Sequence, residues 1–238
     1  MPDRNDHGFA NRLLRAMTQA DADLLSAHMT RVTLPLRNEL ETPGEAIKTV
    51  YFPEDCLGSV IAQLSRGRDI EVGVVGRDGL TGTGIVYGDE CSPYLCIVQI
   101  PGTAMAIKAQ DLSACLARSP SLNQLLLRYC RAFSIQIAST ALANGRSKLE
   151  ERLARWLLMV SDRLDTEKIA LTHEFLAVML GVRRPGVTVA LHILEGKGLI
   201  RSTRGVLVIR DREGLIELSD GAYGMPESEY KRVMGFDA

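Results

Sequence analysis

Only four of the 238 residues are histidine, five are cysteine and one is tryptophan, and no run of 18 apolar residues occurs. Without such a run no helix is expected to span a bilayer. The opening residues MPDRNDHGFANRLLRAM lack the apolar centre of a secretory leader, so a cytoplasmic location is expected. The cysteines (56, 91, 96, 115 and 130) are odd in number and follow no tight pattern, which suits free thiols in a reducing compartment. Cys91 and Cys96 stand closest, but a C-x4-C pair with no second pair or neighbouring histidine is not a metal site. None of the histidines (7, 28, 173 and 192) is placed locally to orient a Ser or Cys nucleophile. The glycines between 73 and 84 lack the Lys-Ser/Thr ending of a nucleotide loop, so no enzyme is expected. Neither sign of charge dominates: 28 basic residues face 29 acidic ones. With 46% hydrophobic residues, the chain is long enough for two cores and is not disordered as a class.

The charge that is present is gathered in one place. Between Arg183 and Arg210 six basic residues stand against the single acid Glu195, a local excess of five positive charges. This stretch overlaps LTHEFLAVMLGVRRPGVTVALHILEGKGLI (171–200), whose pattern is two short helices around a tight turn. Thr172 can cap the first helix, with Glu174 in its first turn, where the helix dipole favours an acid. Leu176, Met179 and Leu180 form its apolar stripe, and Ala177 is small where a second helix would cross. Gly181 suits a left-handed corner. Pro185 fits the first turn of the second helix, whose inward face is Val187, Ala190, Leu191 and Leu194.

Two basic residues at the start of a second helix are what a helix-turn-helix presents to a major groove. Arg183, Arg184, Thr188 and His192 are the candidate base-facing residues, with Thr172 and Lys197 as further candidate DNA contacts. Two strand-like runs follow, about Leu199–Ile200 and Val206–Ile209, with Arg201 and Arg204 at the turn between them. Those two arginines are candidate phosphate or minor-groove contacts, and double-stranded DNA is the expected partner.

Ahead of this module the texture changes twice. From about Val32 to Ile107, short β-type runs alternate with turn signals such as Pro43-Gly44 and Gly76-Arg77-Asp78-Gly79, which predicts a small β-roll or barrel. A long helix over 122–144, about 34 Å at 1.5 Å per residue, comes next. On it Leu122, Leu126, Tyr129, Phe133, Ile137 and Thr140 recur at steps of three and four, close to a heptad seam. The spacing predicts a homodimer joined along that seam, since paired modules suit twofold DNA sites. The alternative is that the same stripe packs on the chain's own roll. Asn144-Gly145-Arg146-Ser147 is the expected hinge. The expected division is a sensor part over 1–118, dimerisation helix and hinge over 119–145, DNA module over 146–218 and a tail over 219–238.

Helix, β-roll, long helix and winged helix-turn-helix in this order resemble the Crp/Fnr family of bacterial transcription regulators. The match is most specific at 171–200 and looser at Pro43-Gly44-Glu45, Val50-Tyr51-Phe52 and Gly58-Ser59-Val60. The resemblance implies an α+β chain: a cyclic-nucleotide-binding-like β-roll, a long dimerisation helix and a C-terminal winged helix-turn-helix. It also implies a homodimeric, sequence-specific regulator with RNA polymerase as a further partner.

The family's phosphate-cradling stretch corresponds to 73–80, so Gly73, Gly76, Arg77, Asp78 and Gly79 are the candidate ligand pocket. The Arg-Ser pair that neutralises a cyclic phosphate has no counterpart before Tyr94, so no cofactor and no cyclic nucleotide is expected. In the reading helix, Pro185 and Val189 stand where the family commonly carries glutamate and a second arginine, which implies a different operator. The competing reading is a ligand-binding or protein-interaction module that does not touch DNA.

Overall fold

The computed structural model describes residues 8–64, 68–203 and 205–237. Two short helices lead in, α1 (Arg12–Arg15) and α2 (Gln19–Ser26). Asn11 caps α1 by accepting from the backbone of Leu13 and Leu14, while its amide donates to the carbonyls of Pro53 and Gly79. One buried side chain thus satisfies a helix end and fastens it to the roll.

Seven strands follow in chain order: β1 (Thr30–Leu34), β2 (Glu39–Glu41), β3 (Thr49–Pro53), β4 (Leu57–Leu64), β5 (Arg68–Val75), β6 (Leu95–Ile100) and β7 (Gly102–Lys108). They form two sheets, ordered β1-β7-β3 and β2-β6-β4-β5, with antiparallel pairing throughout. This is the expected roll. The small helix α3 (Thr83–Tyr87) interrupts it, and α4 (Ala109–Arg118) closes it.

The long helix α5 runs Pro120–Arg146, with Ser119 capping its start and proline in its first turn. It is longer than its sequence pattern at both ends, and the chain breaks at Ser147, the last residue of the expected hinge, while Asn144, Gly145 and Arg146 remain helical. The apolar seam turns inward. Leu122, Leu126, Tyr129, Phe133 and Thr140 are buried within their own subunit, and Ile137 is packed against the same core. The seam therefore packs on the chain's own roll, the alternative the sequence also allowed, because the roll's apolar face lies within reach of the stripe. Leu127 and Leu142 lie on the opposite, exposed side, at 41% and 64% exposure.

The C-terminal part comprises α6 (Leu149–Leu164), β8 (Lys168–Ala170), α7 (His173–Met179), α8 (Arg184–Gly196), β9 (Ile200–Thr203), β10 (Val206–Ile209), α9 (Arg212–Leu218) and α10 (Met225–Met234). Its core, including Leu153, Leu157, Leu191 and Leu207, is continuous with Leu57, Val74 and Ile100 from the roll. The segment over 219–238 contributes α10, which lies along α5 and buries Tyr230 and Met234 in the first core.

Candidate nucleic-acid interface

The chain turns by 101° between α7 and α8, within the range of helix-turn-helix pairs. Thr172 caps α7, its hydroxyl accepting from Phe175 N at 3.3 Å. Gly181 makes the corner at φ +59°. A side chain there would be strained, and its Cβ would also press on Ile70 of β5 at 3.0 Å. The Arg152 guanidinium donates to the Leu180 carbonyl, so α6 clamps the same corner.

Arg183 is the N-cap of α8 and Arg184 its first residue, and both side chains are exposed. Arg184 pairs with Glu174 of α7 at 3.0 Å; the two side chains are 65% and 59% exposed. So open a pair holds the guanidinium in place without burying it. Thr188 is half-buried and otherwise engaged: its hydroxyl donates to the Arg184 carbonyl at 3.3 Å and lies 3.2 Å from His173 Nδ1. It ties α8 to α7, so its hydroxyl is less free for bases than its helix position suggested. His192 and Lys197 are exposed.

Beyond α8 the wing is a three-stranded sheet ordered β8-β10-β9, in which β8 is an element the sequence pattern did not reveal. Three residues give little periodicity, and only its partner β10 makes the segment a strand. Arg201 is exposed on β9; Arg204 lies outside the described residues. Arg183, Arg184, His192, Lys197 and Arg201 are thus all exposed on one helix-and-wing module.

The expected ligand cradle is filled by protein. A Cβ at Gly73 would lie 2.9 Å from the Phe133 ring, one at Gly76 would lie 2.6 Å from Arg163 Cβ, and one at Gly79 would collide with Tyr129. These glycines let α5 and α6 approach the roll closely; they do not line an open site. Arg77 pairs with the exposed Asp165 at 3.1 Å, and Asp78 is buried against Arg163 at 2.9 Å, so neither side chain is left free for a ligand phosphate.

The roll cavity lies beside α3 instead, about 300 Å³ between the roll and α5. Tyr87, Tyr94, Cys130 and Phe133 are among its walls, and Glu41 and Asp89 are the charged residues lining it. With two acids and no cation among the described residues, this lining does not fit the phosphodiester of a cyclic nucleotide. Among the described residues, no group of three or more His, Cys, Asp or Glu could hold a metal, and no single helix is long and apolar enough to cross a membrane.

Residues 151–218 match the sequence profile of the Crp-like helix-turn-helix domain. Residues 151–218 are therefore a Crp-like helix-turn-helix domain. Solved structures extend the likeness to the whole architecture. FixK2 from Bradyrhizobium japonicum is 20% identical with a TM-score of 0.70, over 80% of this chain and 96% of that one. A Crp/Fnr-family transcriptional regulator from Eubacterium rectale is 16% identical with a TM-score of 0.68, over 88% and 98%. The c-di-GMP-responsive global regulator CLP of Xanthomonas campestris is 17% identical with a TM-score of 0.65, over 81% and 99%. At these identities the common property is the fold: roll, long helix and Crp-like domain in the arrangement of the Crp/Fnr regulators. No curated protein matches the sequence significantly.

Proposed function

We propose that the protein is a sequence-specific transcription regulator that binds duplex DNA as a homodimer, in the cytoplasm and with RNA polymerase as its downstream partner. The observation that carries this reading is the exposed cationic start of α8, set at a right-angled corner on a Crp-like domain. Arg183 and Arg184 are the base-reading candidates, and Arg201 and Lys197 the phosphate contacts. Selection of a binding site from random duplexes supplies the probe. Arg184→Ala is expected to weaken matched duplex by about 1–3 kcal/mol and mismatched duplex much less. Arg201→Ala should weaken both equally and flatten the salt dependence. Equal losses with Arg184→Ala on the two duplexes would remove its base-reading role. Added cyclic nucleotides should leave affinity unchanged, since the roll cavity offers their phosphate no cation.

The proposed dimer face is the outer side of α5. Arg131, Ser134, Ile135, Ala138 and Leu142, with Met225 of α10, form an open, mostly apolar groove of about 270 Å³. Met225 is 51% exposed, and Leu142 more so. A second copy of α5 laid along this groove would cover both. Leu142→Glu is expected to shift sedimentation from dimer to monomer while the helical circular-dichroism signal is retained. A dimer unaffected by that charge would place the contact elsewhere.

A further inference from the structure

The most outward residues of α8 are not its arginines. At about 100° per residue, Pro185, Val189, His192 and Gly196 fall within an arc of about 60°, and all four are exposed. The arc lies opposite Val187, Ala190, Leu191 and Leu194, which fix α8 in the core at 0–2% exposure. Arg184 sits about 110° round from the arc's centre, on the flank toward α7 where Glu174 holds it. Thr188 is turned the same way, toward His173. Val189, 59% exposed, is the one aliphatic side chain of the outward arc besides the ring of Pro185.

A β-branched side chain at a helix surface gains nothing from solvent and costs some helix propensity. In a major groove the same isopropyl group has one apolar partner on the base edges, the C5 methyl of thymine. Proline contributes neither donor nor acceptor beside it. The arc therefore has no group that could take guanine bidentately, and its one polar side chain is the His192 imidazole, on the other side of the arc's centre from Val189.

Resting on the DNA-binding reading above, we infer that Val189 is a specificity-determining residue that selects a 5-methyl pyrimidine at the centre of each half-site, with the arginines reading or anchoring its edges. The recognised chemistry is the methyl group itself, not the Watson–Crick identity of the base. A 5-methylcytosine at that position should serve where cytosine fails.

The test uses the full-length protein and a site selected from random duplexes, measured by fluorescence anisotropy at one fixed salt concentration. Each thymine of the selected half-site is replaced in turn by deoxyuridine, which removes only the methyl. One position per half-site is expected to weaken binding about fourfold, the scale of one buried methyl group. Changing that T·A pair to C·G and then methylating the cytosine should recover a similar factor. Val189→Ala, exposed and so without effect on the core, should bind thymine and deoxyuridine sites within about 1.5-fold of each other, and Val189→Thr, which keeps one methyl, should lie between.

Deoxyuridine tolerated at every position by the wild type, or a methyl effect that survives in Val189→Ala, would overturn the inference while leaving DNA binding intact. Failure to select any duplex would instead remove both this inference and the reading on which it rests.

Discussion

Replacing Asp78 with alanine is expected to destabilise the folded chain by about 3–5 kcal/mol, the penalty for leaving a buried charge without its partner. Its carboxylate meets the Arg163 guanidinium at 2.9 Å, with the two side chains 3% and 4% exposed. The same carboxylate accepts from Gly76 N at 3.1 Å, and the Asp78 carbonyl accepts from the Tyr230 hydroxyl at 2.6 Å. Arg163 also donates to the Met159 carbonyl at 2.9 Å. Three stretches far apart in sequence meet here: the turn after β5, the end of α6 and the C-terminal α10. The ion pair need not be worth much in itself, because both groups lose their hydration on burial. Removing one partner is another matter. Arg163→Met combined with Asp78→Leu should therefore recover most of the loss, a coupling readable in a double-mutant cycle of denaturation midpoints. Simple additivity of the two single losses would show that the pair is not what joins these segments.

The second large effect is a dependence of stability on pH traceable to Glu71. This carboxyl lies on β5 under α6, where burial raises its pKa from the ordinary 4.5 to about 7. The Ser59 hydroxyl and Trp156 Nε1 (at 2.9 Å) both donate to it, and Arg155 and Arg163 of α6 oppose the rise without cancelling it. Because the folded state holds this proton more tightly than the unfolded chain, the stabilising contribution is complete below pH 4.5 and is lost as pH rises through about 7. The span corresponds to about 3 kcal/mol. In Glu71→Gln the amide oxygen still accepts from Trp156 Nε1, and the amide N–H can donate to Ser59, whose hydroxyl then accepts, without any charge being acquired. The variant should match the wild type near pH 4.5 and exceed it by up to about 3 kcal/mol at pH 8. Thermal midpoints of the two proteins, compared across that range, measure the difference. Parallel curves would mean that Glu71 ionises freely at the interface.

Much of the DNA module was legible in the sequence because its signals are local. Thr172, Gly181 and Pro185 each fix the backbone through their own chemistry, a cap, a left-handed corner and a proline-compatible first turn, and the structure has each in that place. The Val206–Ile209 run needed only its alternation with turns to be recognised as a strand. The glycines at 73–79 show where local signals mislead. The family resemblance made them the candidate cradle for phosphate, and they are instead the contact surface for Phe133, Arg163 and Tyr129, residues some 50 to 90 positions later in the chain. Helix α10 has local signals of its own, Pro226 in its first turn and Gly235 at its end, but only the fold shows that α5 gives Tyr230 and Met234 a surface.

What the sequence determined alone was the order of elements, the corner of the helix-turn-helix and the concentration of positive charge around it. All of these depend on residues within a few turns of each other. Only the tertiary structure decided which side of α5 is free and which groups are sealed beneath α6. An amphipathic stripe states that burial must occur but not against what. The roll claims the stripe of Leu122, Leu126, Tyr129 and Phe133, and Leu142 and Met225 stay exposed on the other side of the helix.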